Sequence, residues 1–211
     1  MNEGVSMDVE FRQGRSADVE AAVPLIYSSG PAAFEFVFGD AKRGMAQDFL
    51  AYAFPKGGGE FGYRGHVIAM VDGKVVGTGT AFSKDTSTSY FFAALSQILG
   101  FYGIGAVSVI RRGLSIERLF ELPTAGEHYI GHIGVTPDLR SHGIGAKLMN
   151  HLIEQGSALG RKTAVLDVSV ENPRAEALYE RLGFRVTREL KSNLSNQYGK
   201  VVDHRRMELA L

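Results

Sequence analysis

The sequence predicts an α/β fold, a single domain at 1–211 on a mixed, mostly antiparallel β-sheet with helices on both faces and a helical insertion at 84–126. Three observations carry that expectation. From Glu127 to Leu211 the segments run strand, glycine-rich turn, helix, strand, helix, strand, strand, an order that implies a mixed sheet covered on both sides. Before them, two runs rich in β-formers flank Asp72-Gly73, the dipeptide of a type I′ hairpin turn. The length of 211 residues exceeds the common domain size of about 100–150 and suits one domain that carries an insertion.

A short strand is expected at Val9–Arg12, then helical patterning from Ala17 through Phe54. Pro24 and Ser28-Ser29-Gly30-Pro31 divide that region into at least two helices. The glycines at 57–59 are a loop, and His66–Val71 and Lys74–Ser83 are the hairpin strands. From Lys84 to Gly126 the pattern is mostly helical, with Tyr90, Phe91, Phe92, Leu95, Ile98 and Leu99 on an apolar face of uneven width. A strand at Glu127–Val135 leads through the glycine-rich turn into a helix at Gly143–Leu159. Its stripe of Ile144, Leu148, Met149, Leu152, Ile153 and Leu159 faces the sheet and leaves Asn150, His151 and Glu154 to solvent. A strand at Thr163–Val170, a helix at Pro173–Leu182 and strands at Phe184–Leu190 and Arg205–Leu211 complete the order.

Composition removes several classes of function. Hydrophobic residues make up 45% and charged residues 22%, the balance of a chain that buries a core. The 23 Lys and Arg residues equal the 23 Asp and Glu residues, so no global field draws the protein to nucleic acid or an anionic membrane. Without cysteine there is no disulfide, no thiolate metal site and no cysteine nucleophile, and no metal is expected. Met1–Glu10 lacks the basic start and apolar stretch of a leader, and no run reads as the roughly 18 apolar residues of a membrane span. A soluble, cytoplasmic protein is the expectation.

The turn Val135-Thr136-Pro137-Asp138-Leu139-Arg140-Ser141-His142-Gly143-Ile144-Gly145-Ala146 lies where a strand hands over to a helix. Gly143 and Gly145 remove side chains that would block a ligand, and the first helical amides lack internal acceptors at the positive end of the dipole. Such a turn can hold a pyrophosphate, or serve only as a tight structural connection. Leu148 breaks the dinucleotide fingerprint and the glycine-lysine-serine ending of a P-loop is missing. Gly103-Ile104-Gly105 has neither completion and reads as an insertion turn.

Arg140, Gly143 and Gly145 match the acetyl-CoA motif of the GNAT superfamily: arginine or glutamine, two residues, glycine, one residue, then glycine or alanine. Val170-Glu171-Asn172-Pro173-Arg174-Ala175-Glu176-Ala177-Leu178-Tyr179-Glu180-Arg181-Leu182-Gly183-Phe184 resembles that family's asparagine-to-tyrosine helix ending in leucine-glycine-phenylalanine. Together the motifs cover about Glu127–Val186. The resemblance implies a GNAT-like fold and an N-acetyltransferase that uses acetyl-CoA and an amine acceptor.

It also implies a site. The cofactor would lie along Ile133, Gly134 and Val135, whose strand pairs with the pantetheine arm, and on Arg140, Ser141, His142, Gly143, Ile144, Gly145 and Ala146. Asn172 before Pro173 is a helix cap that also suits contact with the pantetheine arm. Tyr179 stands about two turns later on nearly the same face; it is either a core aromatic or, by resemblance, the general acid for the leaving thiolate. Glu127 occupies a strand position used by some family members for a catalytic base, and otherwise reads as a solvated glutamate. His128 and His132 have the opposite strand parity unless a bulge intervenes.

A non-catalytic acyl-CoA sensor and an assembly module are the alternatives to an enzyme. The aromatic residues of the insertion read as core or homodimer packing ahead of acceptor recognition. The sequence carries no signature of an acidic groove, which speaks against a polyamine acceptor.

Overall fold

The computed structural model describes residues 7–211, so the first six residues of the Met1–Glu10 reading lie outside the described residues. Strands β1 (Glu10–Gln13), β2 (His66–Val71), β3 (Lys74–Phe82), β4 (Glu127–Val135), β5 (Thr163–Ser169), β6 (Arg185–Leu190) and β7 (His204–Ala210) form one sheet in the order β1-β2-β3-β4-β5-β7-β6. Among the described residues only the β4–β5 pair is parallel. Asp72 and Gly73 take φ of 50° and 74°, the left-handed pair of the expected type I′ turn.

The helices divide between the faces. On one side lie α1 (Val19–Ser28), α2 (Pro31–Phe38), α3 (Ala46–Ala53), α4 (Lys84–Tyr102) and α5 (Ala106–Glu117). They share a core that includes Ile26, Phe38, Phe49, Phe54, Tyr102 and Val109. On the other lie α6 (Ile144–Ala158) and α7 (Pro173–Arg181), packed on Leu148, Leu152, Leu166 and Met207. α1 crosses so close to β4 that a Cβ at Gly134 would collide with the Leu25 carbonyl. That glycine is required by packing.

Several expectations change in detail. α1 runs through Pro24 without ending, since the proline removes only the donor that would have met the Glu20 carbonyl in the first turn. The chain breaks at Ser29-Gly30 instead, and α2 departs at 103°. Leu159, read as part of the α6 stripe, is 63% exposed because the helix has already ended at Ala158. His151 is not simply solvated; its ring stacks on Phe11 at 4.6 Å.

The insertion also departs from the membrane expectation. Lys84–Glu117 is long and apolar enough by length and composition to cross a membrane, because no charge interrupts Thr86–Ile110 and the polar residues there are only Ser, Thr and Gln. In this fold one face of the stretch is buried through Gln97, Ile98, Tyr102, Ala106 and Val109, while Phe92, Leu99, Ile104 and Val107 are exposed.

Candidate active site

β4 and β5 pair only at Glu127–Tyr129 against Thr163–Val165. Beyond that point they part, and β4 presents its Ile130–Val135 edge to the gap. On its other side β4 bulges. Gly131 pairs with Thr80 and Gly134 with Thr78, so His132 and Ile133 together face the single residue Gly79. His132 takes φ 52° to make the step. The bulge on which the parity of His132 depended is therefore present.

A cavity of about 1220 Å³ fills the gap. Val135, Arg140, Ser141 and Gly143 border it at the end of β4, and Tyr129 borders it at the start, about 20 Å away along an extended strand. The turn is shaped by left-handed residues at Ser141 (φ 69°) and Gly143 (φ 81°). Space is open where a Gly143 Cβ would stand. Arg140 Nε donates to the Val135 carbonyl at 3.1 Å, and Arg174 Nη2 reaches Ser141 Oγ at 3.1 Å, joining the turn to α7. The first recorded bond into α6 runs from Lys147 N to Gly143 O, which leaves the amides of Ile144, Gly145 and Ala146 at the helix start.

The expected cofactor residues divide by position. Ile133, Gly134, Val135, Arg140, Ser141, Gly143, Gly145, Ala146 and Asn172 all border the cavity, and His142 and Ile144 do not. Ile144 is 1% exposed and its side chain is core, so only its amide can serve a ligand. His142 turns back on its own loop, with Nδ1 3.0 Å from the Arg140 carbonyl. Asn172 is the cap that its sequence suggests, its Oδ1 accepting from Ala175 N at 3.2 Å.

Tyr179 borders the same cavity from α7 and is 9% exposed. It packs beside Phe184 with 6.1 Å between ring centroids. Burial pushes its hydroxyl up to about 12, so it stays protonated at neutral pH.

Glu127 does not border the cavity. Its Oε2 accepts from Thr124 N at 2.7 Å and lies 3.4 Å from Arg206 Nη2, so the carboxylate supports a buried guanidinium that also neighbours Asp167 and Glu208. The position moves the base assignment away from it. Glu127→Gln is expected to lower stability by about 1.5–3 kcal/mol through Arg206, the worth of a hydrogen bond to a charged group, and to leave the pH profile of any activity unchanged. Thermal melting and initial rates across pH check both. His128 is no substitute; it is 3% exposed beneath α6, with Nε2 3.1 Å from the Leu152 carbonyl.

The group that the sequence reading missed is Glu60, half-buried in the loop after the glycines at 57–59. It borders the cavity, and the ring of its neighbour Phe61 stacks on His132 at 6.0 Å, which sets this loop at the level of the β4 bulge. Burial, with Glu117 nearby, pushes the Glu60 carboxyl up to about 7. His132 stacks on His66 at 5.7 Å, and burial together with that neighbour pushes it down to about 3, so it stays neutral. Nothing in the local sequence marks Glu60, because its importance comes from a contact with a strand more than seventy residues away.

The insertion forms a wall of this cavity through Tyr90, Phe91, Ile98, Ile116 and Glu117. Its inward face lines the cavity as well as the core. Among the described residues no group of three or more side chains is placed to hold a metal.

A parted strand pair, a bulge and a helix-start turn thus meet around one cavity. The model for the acetyltransferase (GNAT) family matches residues 35–184. The chain belongs to this family of acyltransferases.

A 55-residue stretch is 47% identical to an uncharacterized N-acetyltransferase of Methanocaldococcus jannaschii, covering 26% of this chain and 24% of that one. A 53-residue stretch is 43% identical to a ribosomal protein bS18-alanine N-acetyltransferase of Salmonella typhimurium, covering 25% and 36%. The chain thus spans between a quarter and about a third of the length of these curated relatives. In three dimensions the fold matches an N-acetyltransferase from Staphylococcus aureus Mu50 with a TM-score of 0.64 at 18% identity, over 95% of this chain and 100% of that one.

Proposed function

We propose that the protein is an acetyl-CoA-dependent N-acetyltransferase that transfers the acetyl group to a primary amine by direct attack on the thioester. The observation that carries this reading is the parting of β4 from β5 beside the bulge, continuous with the glycine turn in a single cavity. An extended pantetheine arm would add to the open β4 edge as a strand does, and the pyrophosphate would meet the helix-start amides and Arg140.

An amine of pKa near 10 needs roughly 4 kcal/mol to expose its lone pair at pH 7. Glu60 would take that proton. The amine nitrogen then bonds to the carbonyl carbon, the carbon–sulfur bond breaks, the leaving thiolate takes its proton from Tyr179, and the second proton that the nitrogen sheds as it becomes an amide returns to the Tyr179 oxygen. A residue in the bulge, Ile133 or its neighbours, is the candidate donor to the carbonyl oxygen.

The test is calorimetry and thermal melting with acetyl-CoA, followed by thiol release with an amine. A ligand at 100 times its Kd should stabilise the native state by about 2.7 kcal/mol. Absence of both heat and a melting shift at millimolar ligand overturns the reading, and binding without thiol release favours the sensor. Gly143→Val with Gly145→Val is expected to abolish the shift, since Val at φ 81° is strained and its side chain enters the open space of the turn. The unliganded melting curve of that variant checks that it folds.

A further inference from the structure

Several carboxylates line the cavity although the chain has zero net charge. Glu60, Glu117, Glu121 and Asp167 border the cavity from four separate segments. Glu121 is already engaged by Arg188. Asp167 is different. Its side chain is 1% exposed; Oδ2 accepts from Tyr129 Oη at 3.0 Å and lies 3.6 Å from Arg206, while Oδ1 is buried without a partner.

A buried carboxylate oxygen left unsatisfied at a cavity wall costs stability unless something bonds to it. Arg206 does not discharge the site, because Glu127 and Glu208 share it. Beside Asp167 runs an aromatic wall, Tyr129, Phe82 and Tyr90, with ring centroids 4.9 Å and 5.6 Å apart in sequence. Both tyrosines also feel the charge of Glu60. Rings flanked by carboxylates bind alkylammonium groups through their faces and repel carboxylates. The wall also carries Thr80, Ser87, Thr88 and the neutral His132, together with His204, whose pKa burial lowers, and the solvent-exposed Arg181.

We propose that the acceptor is an organic dication, with one ammonium delivered to Glu60 for reaction and the second cation held by Asp167 against the rings of Tyr129, Phe82 and Tyr90. This inference rests on the acetyl-transfer reading for the fate of the first amine. The seat of the second cation is a matter of binding alone. It also reverses the expectation drawn from the sequence: the acids that form the groove are far apart in the chain and gather only in the fold.

The experiment compares 1,4-diaminobutane with butylamine, which keeps the length and removes one charge. Binding to the protein–coenzyme A complex is read by calorimetry, and acetyl transfer is read as kcat/KM. The diamine is expected to exceed butylamine by about 10-fold or more in both, the worth of one charge-assisted bond to a buried carboxylate. Asp167→Asn should bring that ratio near unity. Because Asp167 also contacts Arg206, Tyr90→Leu is the second variant; it removes one ring from α4 and should lower the ratio several-fold, with thermal melting as the check on folding.

Equal binding and equal kcat/KM for the two amines would overturn the proposal while acetyl transfer stood. So would a preference for a neutral or carboxylate-bearing amine. A diamine preference in binding with no transfer would keep the cation site and remove the catalytic reading.

Discussion

Tyr179→Phe is expected to lower turnover by about 100- to 10,000-fold with little change in acetyl-CoA affinity, because it deletes one hydroxyl and keeps the ring. The structure sharpens this expectation in two ways. The residue borders the cavity, so its hydroxyl can meet a ligand, and burial raises its pKa to about 12, so the proton is present to be given. The contact with Phe184 persists in the variant, and folding should survive. A thioester with a more acidic thiol needs less protonation in the transition state and should shrink the loss. A purely structural tyrosine would instead give lower thermal stability, near-normal turnover per folded molecule and no dependence on the leaving group. Rates with two thioesters, paired with melting curves, separate the outcomes.

The place of Tyr179 on α7 was legible from local geometry, whereas its expected role came from the resemblance to the family's motif. The Asn-Pro start fixes the helix phase, and seven residues later the side chain must return to nearly the same face. β4 and the glycine turn were legible for the same reason, since each element announces itself within about ten residues. Strand order was not. β7 lies between β5 and β6, and no local pattern says that the last strand inserts there.

The bulge was conditional in the sequence. Parity alone set His132 opposite to Glu127, and only the pairing of Gly131 with Thr80 and Gly134 with Thr78 shows the extra residue. The partner of Glu127 was hidden for a related reason. A strand position predicts which way a side chain leaves the sheet, and it says nothing about a buried arginine on β7 waiting to claim it. The acid-lined end of the cavity was invisible because its carboxylates come from a loop, the end of α5, the segment after it and β5.

Glu60→Gln is expected to lower kcat/KM by about 100- to 10,000-fold above neutral pH and to erase one limb of the pH profile. The acid form of Glu60 cannot accept a proton, so with its pKa raised to about 7 the wild-type rate should fall roughly tenfold per unit as pH drops below that value. In the variant that limb disappears, and only the ionisation of the amine itself, near 10, should remain. Affinity for acetyl-CoA should hold, since the pyrophosphate seat in the glycine turn is built from other residues. Stability supplies an independent check. A carboxyl raised from 4.5 to about 7 binds more protons in the folded than in the unfolded state across that window. Its contribution to stability therefore falls as pH rises from 4.5 to 7 and stays low above. Glu60→Gln, which removes the buried charge, should melt higher than the wild type at pH 8 and match it more closely near pH 4.5. A variant that keeps the limb near pH 7 would remove Glu60 from proton transfer, and one that melts lower at pH 8 would show that its charge is paired in the native protein.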